Sequence, residues 1–372
     1  MPGRLPVSQA MGQGEHAVPR WALIVPWVAL VLLVAALVWP GVTPLLLLCA
    51  AALIAAVQAA VYHAELVAHR VGEPFGTLVL ALAVTVIEVA LIVSVMLTGG
   101  PDKAALARDT IYAAVMIICN GVVGLCLLVG GLRHGEQAYR IEGASSSLAA
   151  LVALATLSLV LPSFTTSSPG ATYTVSQLVF AAVMSLALWA VFVFVQTVRH
   201  RDFFLRPAGP TDEEAHAPPP SNALAAASFG LLMLALVAVV GLAKVLSPSI
   251  EAAVAASGAP KTVIGISIAL LVLLPETIAA VRAAHMNRLQ TSFNLAYGSA
   301  LASIGLTIPV VAAASVWMGL PLVLGLDAKD VVLLTLTFVV SAITLTYGRT
   351  HMMHGAVHLV IFAAFAFLAL VP

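Results

Sequence analysis

Two glutamates stand alone in long apolar runs, and their side chains offer the clearest chemistry in this sequence. Glu88 is the only charged residue of "VTVIEVALIV" (residues 84–93), and Glu276 occupies a similar position in a later run. A charged side chain at the centre of a membrane helix costs at least about 2.5–3.5 kcal/mol, and such residues usually mark an ion or proton pathway. We therefore predict that Glu88 and Glu276 bind a cation or protons in transit.

The elements that position these carboxylates are membrane-spanning helices. Of the 372 residues, 62% are hydrophobic and only 9% are charged, whereas soluble domains carry about 25% charged residues. A helix needs about 20 apolar residues to cross the hydrocarbon core. The runs lack the alternation of a β-barrel, so we predict an all-α polytopic membrane protein. Eleven spans are expected, at approximately 21–39, 43–62, 74–98, 110–132, 146–162, 173–197, 222–246, 261–283, 292–316, 330–347 and 353–371.

Charge predicts the orientation and the partners. Most of the sixteen Lys and Arg residues fall on one side of the predicted spans, which favours a cytoplasmic N-terminus and an external C-terminus in the cell (inner) membrane. The formal net charge of zero argues against nucleic acid as a partner, and the lipid bilayer is the expected surrounding. The sequence leaves the oligomeric state open.

The two glutamates belong to segments that repeat. Sliding the chain on itself aligns Glu88 with Glu276, and mostly small residues fall on the same helical face before each of them. The predicted helices around the two glutamates are antiparallel and five spans apart, which indicates two inverted five-helix halves, a recurring design of secondary transporters. The predicted domains are 1–20 (disordered cytoplasmic N-terminus), 21–39 (extra helix), 40–198 (first repeat), 199–221 (flexible cytoplasmic linker) and 222–372 (second repeat).

Polar residues and a proline near the glutamates are candidate members of the same site. Pro275 precedes Glu276 and should loosen the helix around Leu271, because proline has no N–H and clashes with the carbonyl four residues back. Carboxylate and freed carbonyl oxygens together suit a hard cation such as Ca²⁺. The candidate site-lining residues are Thr85, Asn120, Leu271, Asn294, Ser299 and Ser303, with Thr307 a weaker candidate. The alternative is that these small and hydroxyl residues hold the helices together.

Glu73 lies where the third predicted span begins. It is either an entry-site carboxylate or a helix-start acid favoured by the helix dipole.

The two glutamate segments resemble a known family. "GEPFGTLVLALAVTVIEVALIV" and "LLPETIAAVRAAHMNRLQTSFNLAYGSALASIGLTIPVV" are similar to the two alpha-repeats of bacterial calcium/cation:proton antiporters of the cation/calcium exchanger superfamily. The resemblance implies proton-driven export of Ca²⁺ with Glu88 and Glu276 as shared carriers, and transport of Na⁺ or K⁺ by the same protein. The segments "VTVIE" and "LLPET" replace the Gly-Asn-Ala-Thr/Ala-Glu pattern of the vacuolar branch, so a sodium(potassium)/proton antiporter stays open as the alternative. No resident cofactor is expected.

Other functions are less well supported. An intramembrane enzyme generally needs paired aspartates, a Ser/Lys or Ser/His arrangement or zinc ligands at depth, and we find none of these patterns. His63, Glu65 and His69 do not form the HExxH motif, which needs two histidines four residues apart. Two inverted halves that each carry one carboxylate are less typical of a passive channel than of an antiporter. His351, His354 and His358 share a helical face and are interpreted as packed or interfacial rather than metal-binding, and Cys49, Cys119 and Cys126 as small packing residues.

Overall fold

The protein is a bundle of α-helices. The computed structural model describes residues 18–71, 75–98, 103–205, 220–258, 260 and 262–371. The helices are α1 (Arg20–Val38), α2 (Thr43–Val71), α3 (Phe75–Thr98), α4 (Leu106–Met116), α5 (Val123–His134), α6 (Ile141–Ala155), α7 (Val175–Phe194), α8 (Asn222–Ser257), α9 (Thr262–His285), α10 (Leu289–Met318), α11 (Ala328–Thr344) and α12 (Met352–Leu370). The predicted disordered tail, up to residue 17, lies outside the described residues, as do Glu73 and linker residues 206–219.

The prediction of a multi-span helical membrane protein is confirmed. Among the described residues, eight helices are long and apolar enough to cross a membrane, and α9 is a ninth if its two bent halves form one span. The helix α3 and the 17-residue α11 occupy the places of the third and tenth predicted spans. The total of eleven spans therefore stays a prediction.

Several predicted boundaries are wrong because polar residues continue a helix. The second span ends at Val71 rather than at residue 62. The fifth span begins at Ile141 rather than at residue 146. Its serines do not break the helix, because Ser145 and Ser146 return their hydroxyls to backbone carbonyls one turn earlier at 2.7 and 2.6 Å.

The start of the predicted flexible linker is also ordered. A 3₁₀ turn at Arg201–Phe204 follows the end of the sixth span, and the Phe204 side chain is buried. The Phe204 carbonyl accepts a hydrogen bond of 2.6 Å from the Asn294 amide on α10. The first residues of the predicted linker 199–221 are therefore packed against the bundle, and the linker itself stays a prediction.

The fourth span contains a wide turn. Helices α4 and α5 are joined by a π-helical segment, Ile117–Val122, in which Asn120 lies. Single π turns inside α-helices frequently occur at functional sites.

Two short strands close one end of the helical bundle. The strand β1 (Glu136–Ala138) pairs antiparallel with β2 (Arg349–His351). We call this end the ribbon end. At the same end of the bundle, the Arg70 guanidinium in the last turn of α2 donates to Asn222 at the start of α8 at 2.7 Å. At the opposite end the backbone N–H of Leu326 donates to the Leu159 carbonyl at 2.9 Å.

Helix packing is reciprocal between the two halves of the chain. If α2 to α7 and α8 to α12 form the halves, the third span of each half (α4–α5 and α10) packs on the last helix of the other half (α12 and α7). The second helix of each half (α3 and α9) packs on the third span of the other half. Two inverted halves would give this exchange of partners, and the domain boundaries themselves stay a prediction.

The extra helix α1 is fixed by a histidine on α2. Pro26 lies inside α1 and has no N–H for the Ala22 carbonyl four residues back. The Nε2 atom of buried His63 takes the place of that donor, at 2.9 Å from the Ala22 carbonyl. His63 thus satisfies a carbonyl that the proline leaves free.

Candidate functional site

Glu88 is buried in α3 and hydrogen-bonded to a serine of the other half. The residue is 4% exposed. The Ser303 hydroxyl on α10 donates to its Oε1 atom at 2.6 Å, across 215 positions of sequence. Thr85, one turn before Glu88 on the same helix, is also buried. The predicted site residues Thr85, Glu88 and Ser303 are therefore brought together.

Glu276 lies directly after a sharp bend. The segments Thr262–Leu274 and Glu276–His285 meet at an angle of 53°, and the residue between them is Pro275. The predicted break is present, although the axis turns at residue 275 rather than at Leu271. Because a proline carries no N–H, the Leu271 carbonyl is left without its helical donor close to the carboxylate.

The carboxylate of Glu276 has spare hydrogen-bonding capacity. Its Oε2 atom is buried and has no hydrogen-bond partner among the described residues. A buried acceptor without a partner is costly, and in a native structure such an atom calls for an explanation such as a missing ion or water. The Oε2 atom of Glu276 can therefore accept a proton or coordinate a cation.

The two glutamates lie on helices that touch. Helices α3 and α9 are in contact, and Glu88 is close enough to Glu276 for two ionised carboxylates to repel each other. A third carboxylate, Glu65 on α2, acts on Glu276 in the same way. Sequence reasoning considered Glu65 only as part of a failed zinc motif. Glu65 lies three residues beyond the predicted end of the second span, on a helix that continues to Val71. An acidic residue so close to the end of a span could have been taken as a candidate.

The hydroxyl face predicted on α10 is present. Ser303 and Thr307 are buried, and Ser299 is half-buried one turn before Ser303. The Thr307 hydroxyl is buried with no hydrogen-bond partner among the described residues. Asn294 lies farther off, because nine residues of helix separate it from Ser303, about 13 Å along the axis. Its amide oxygen accepts from Gln290 at 3.0 Å, close to the ribbon end.

Asn120 belongs to a separate buried network. Its amide nitrogen donates to the Thr337 hydroxyl at 2.9 Å, and its amide oxygen lies 3.2 Å from His358 Nδ1. The other ring nitrogen of His358 is 3.1 Å from the Thr344 hydroxyl. All four side chains are buried, and they connect the π-helical turn to α11 and α12.

The remaining candidates have structural roles. His351 accepts a hydrogen bond from the Met353 N–H at the start of α12, and its ring packs on His354 with centroids 4.5 Å apart. Cys49, Cys119 and Cys126 are free and buried, as predicted. Within the described part of the chain, no group of three His, Cys, Asp or Glu residues could hold a metal ion.

The bundle of long apolar helices defines the class of a polytopic membrane protein. Residues 41–198 and 227–371 match the model of the sodium/calcium exchanger protein family. The chain therefore belongs to this family, within the cation/calcium exchanger superfamily, and it is a cation antiporter rather than an enzyme.

Similar proteins cover almost the whole chain. The protein y4hA of Sinorhizobium fredii, described only in general terms as an ionic transporter, is 51% identical over 365 residues, covering 95% of this chain and 97% of its own length. The sodium-potassium/proton antiporter ChaA of Escherichia coli is 35% identical over 353 residues, covering 92% of this chain and 94% of its own. The solved structure of native YfkE matches the fold with a TM-score of 0.72 at 17% identity, over 94% of this chain and 100% of that chain.

Proposed function

We propose that the chain exports cytoplasmic cations in exchange for external protons, by alternating access at one site shared by Glu88 and Glu276. The observation that carries the proposal is the contact between α3 and α9, the helices that carry the two deep carboxylates, together with the buried Glu276 Oε2 atom that has no hydrogen-bond partner among the described residues. Ionisable groups inside a membrane are costly and mark ion or proton pathways. The inverted arrangement expected of the two halves places such a site near the bilayer midplane.

Charge balance supplies the coupling. With both carboxylates ionised and no ligand bound, the site carries a charge of −2 in a low-dielectric region, and this state is the costly one. One Ca²⁺ or two protons neutralise it, so either ligand permits the conformational change. The empty, ionised site resists the change, and exchange is therefore obligatory.

Ca²⁺ is the first candidate cargo because of the oxygen ligands at hand. Ca²⁺ takes six to eight of them. Glu88 and Glu276 offer four carboxylate oxygens. The Leu271 carbonyl, which lacks its helical donor because of Pro275, and the Thr307 hydroxyl, which has no hydrogen-bond partner among the described residues, add two neutral ones. YfkE, whose fold this chain shares, is itself named a Ca²⁺/H⁺ antiporter.

Sodium or potassium is the second candidate cargo, and the similarity to ChaA favours it. That relative, at 35% identity, is named a sodium-potassium/proton antiporter. Two monovalent cations would neutralise the pair as one Ca²⁺ does. The expected setting is the cell membrane with the N-terminus cytoplasmic and the C-terminus outside. The ribbon end then faces the cytoplasm, and Glu65 lies on the cytoplasmic side of Glu276. Glu65 is thus a candidate entry carboxylate.

The test is cation-induced collapse of a proton gradient in everted membrane vesicles, scanned over Ca²⁺, Na⁺, K⁺ and Mg²⁺. Glu88→Gln and Glu276→Gln should each abolish exchange while the protein still inserts, because a neutral amide imitates the protonated form permanently. The matched control is Glu136→Gln, whose carboxylate forms an exposed ion pair with Arg349 at 3.9 Å. Exchange at near wild-type rate by either deep variant would refute the shared site.

A further inference from the structure

The two glutamates differ in their hydrogen-bond partners. Glu88 receives the hydroxyl of Ser303 from α10, the third span of the other half. The corresponding span for Glu276 is α4–α5, which packs against α9. Between Tyr112 and Arg133, the one side chain of that span with an amide or a hydroxyl is Asn120. The contact expected by symmetry is not made, since Glu276 Oε2 has no partner among the described residues.

Asn120 is instead fully engaged elsewhere. Its amide nitrogen donates to the Thr337 hydroxyl, and that hydroxyl donates onward to the Leu333 carbonyl at 2.8 Å. Since the amide oxygen can only accept, His358 Nδ1 carries the proton and donates to it. The Nε2 atom of the neutral ring is then an acceptor for the Thr344 hydroxyl. Every polar atom of the Asn120 and His358 side chains has a partner in this arrangement.

Close packing of α12 on α5 brings His358 to this position. A Cβ atom on Gly355 would collide with the backbone of α5 at Leu128 and with the Gly124 carbonyl. A Cβ atom on Gly124 would lie 3.1 Å from the Cβ atom of His358. The two helices therefore touch through their backbones, and the fully buried imidazole reaches the π-helical turn.

We infer that His358 is a positioning residue for the cation site: it holds the Asn120 amide, together with Thr337, turned away from Glu276. The carboxylate at the bend is thereby kept free of a competing amide donor and available to the cation. Releasing Asn120 lets its amide donate to ionised Glu276, and the cation must then displace it. This inference rests on the proposed function of Glu276 and assigns His358 no contact with the cation.

The experiment compares the apparent cation KM in vesicles with the cation Kd of the purified protein. The Kd comes from the shift of the unfolding midpoint with cation concentration. His358→Leu removes the donor and should raise both the KM and the Kd by about two- to twelvefold, the range of one buried hydrogen bond. His358→Asn places an amide nitrogen at the same bond distance from Cβ as Nδ1, so it should restore both constants to within about twofold. The matched control is His354→Leu, one turn earlier on α12 and outside the network.

A double-mutant cycle decides whether His358 acts through Asn120. In an Asn120→Ala background, His358→Leu should cause no further loss, because no amide is left to hold. The positioning role is refuted if the affinity losses of His358→Leu and Asn120→Ala multiply in the double variant. It is also refuted if His358→Asn binds the cation as weakly as His358→Leu does. Should His358→Leu fail to insert, Thr337→Val removes the other partner of the amide and must show the same dependence on Asn120.

Failure of the inference and failure of the proposed function give different results. Normal exchange and normal cation binding by the Glu276→Gln variant would refute the proposed shared site. If Glu276→Gln loses function and the effects of the His358 and Asn120 substitutions are independent, the shared site is supported and only the positioning role of His358 is refuted.

Discussion

The hydrogen bond from Ser303 to Glu88 is the most direct contact between the two halves at the site, and Ser303→Ala deletes it. The bond is 2.6 Å long, and both residues are less than 5% exposed. A hydrogen bond to a charged group contributes about 1.5–3 kcal/mol, against about 0.5–1.5 kcal/mol to a neutral one. Removing the hydroxyl therefore destabilises the ionised, cation-bound carboxylate more than the protonated one, by about 1–1.5 kcal/mol.

This difference appears as a weaker apparent affinity for the cation. A penalty of about 1–1.5 kcal/mol corresponds to an increase in apparent KM of about five- to twelvefold. The maximal exchange rate should change less, because both glutamates remain. The assay is cation-dependent collapse of the proton gradient in everted vesicles, measured over a full range of cation concentrations.

Two further variants make the Ser303 result interpretable. Ser303→Thr keeps a hydroxyl and should stay within about threefold of wild type, the extra methyl group being the only added strain. Ser292→Ala removes a buried hydroxyl from the same helix that donates to the Ala280 carbonyl at 2.7 Å rather than to a carboxylate. An unchanged KM in Ser303→Ala, or an equal increase in Ser292→Ala, would refute the reasoning.

Three further perturbations test the bend, the packing and the linker. Pro275→Ala restores the N–H that the Leu271 carbonyl lacks and should lower cation affinity in the vesicle assay. Pro26→Ala in α1, where His63 already binds the freed carbonyl, should leave the affinity unchanged. Gly355→Ala forces α12 from α5 and should destabilise the purified protein by about 1–3 kcal/mol on thermal unfolding; Gly298→Ala, with open space around its Cβ position, is the control, and equal stability of the two would contradict the packing argument. Replacing residues 206–219 by a flexible linker of equal length should leave transport intact, because it spares the buried Phe204; complete loss with normal insertion would contradict this.

Hydropathy was sufficient to predict the fold class and the location of most spans. Each buried run is long and apolar, and the two deep glutamates interrupt that pattern visibly. The bend before Glu276 was also predictable, because proline acts on the local backbone whatever surrounds it. The end of α2 was not, since its last residues mix polar side chains with the buried His63, Ala64 and Val67 and so do not extend the apolar run.

The partners of the site side chains could not be predicted in this way. Ser303 was selected from its spacing, but its bond to Glu88 joins residues 215 positions apart and depends on how α3 packs on α10. The same limit applies to Asn120. Its amide type suggested a place beside the cation, whereas its partners in the structure lie on α11 and α12. Side-chain type and depth identify candidates, and tertiary packing decides which of them meet.

The most direct test of the central claim is proton release on cation binding by the purified protein. Ca²⁺ is added in weakly buffered solution containing a pH indicator, at a pH where both carboxyls are protonated in the empty protein, and Na⁺ and K⁺ are added in parallel. A shared site of two carboxyls should release about two protons for each Ca²⁺ bound, and Glu88→Gln or Glu276→Gln should release none. Undiminished proton release from either variant, or cation binding by the wild type without any proton release, would contradict the account.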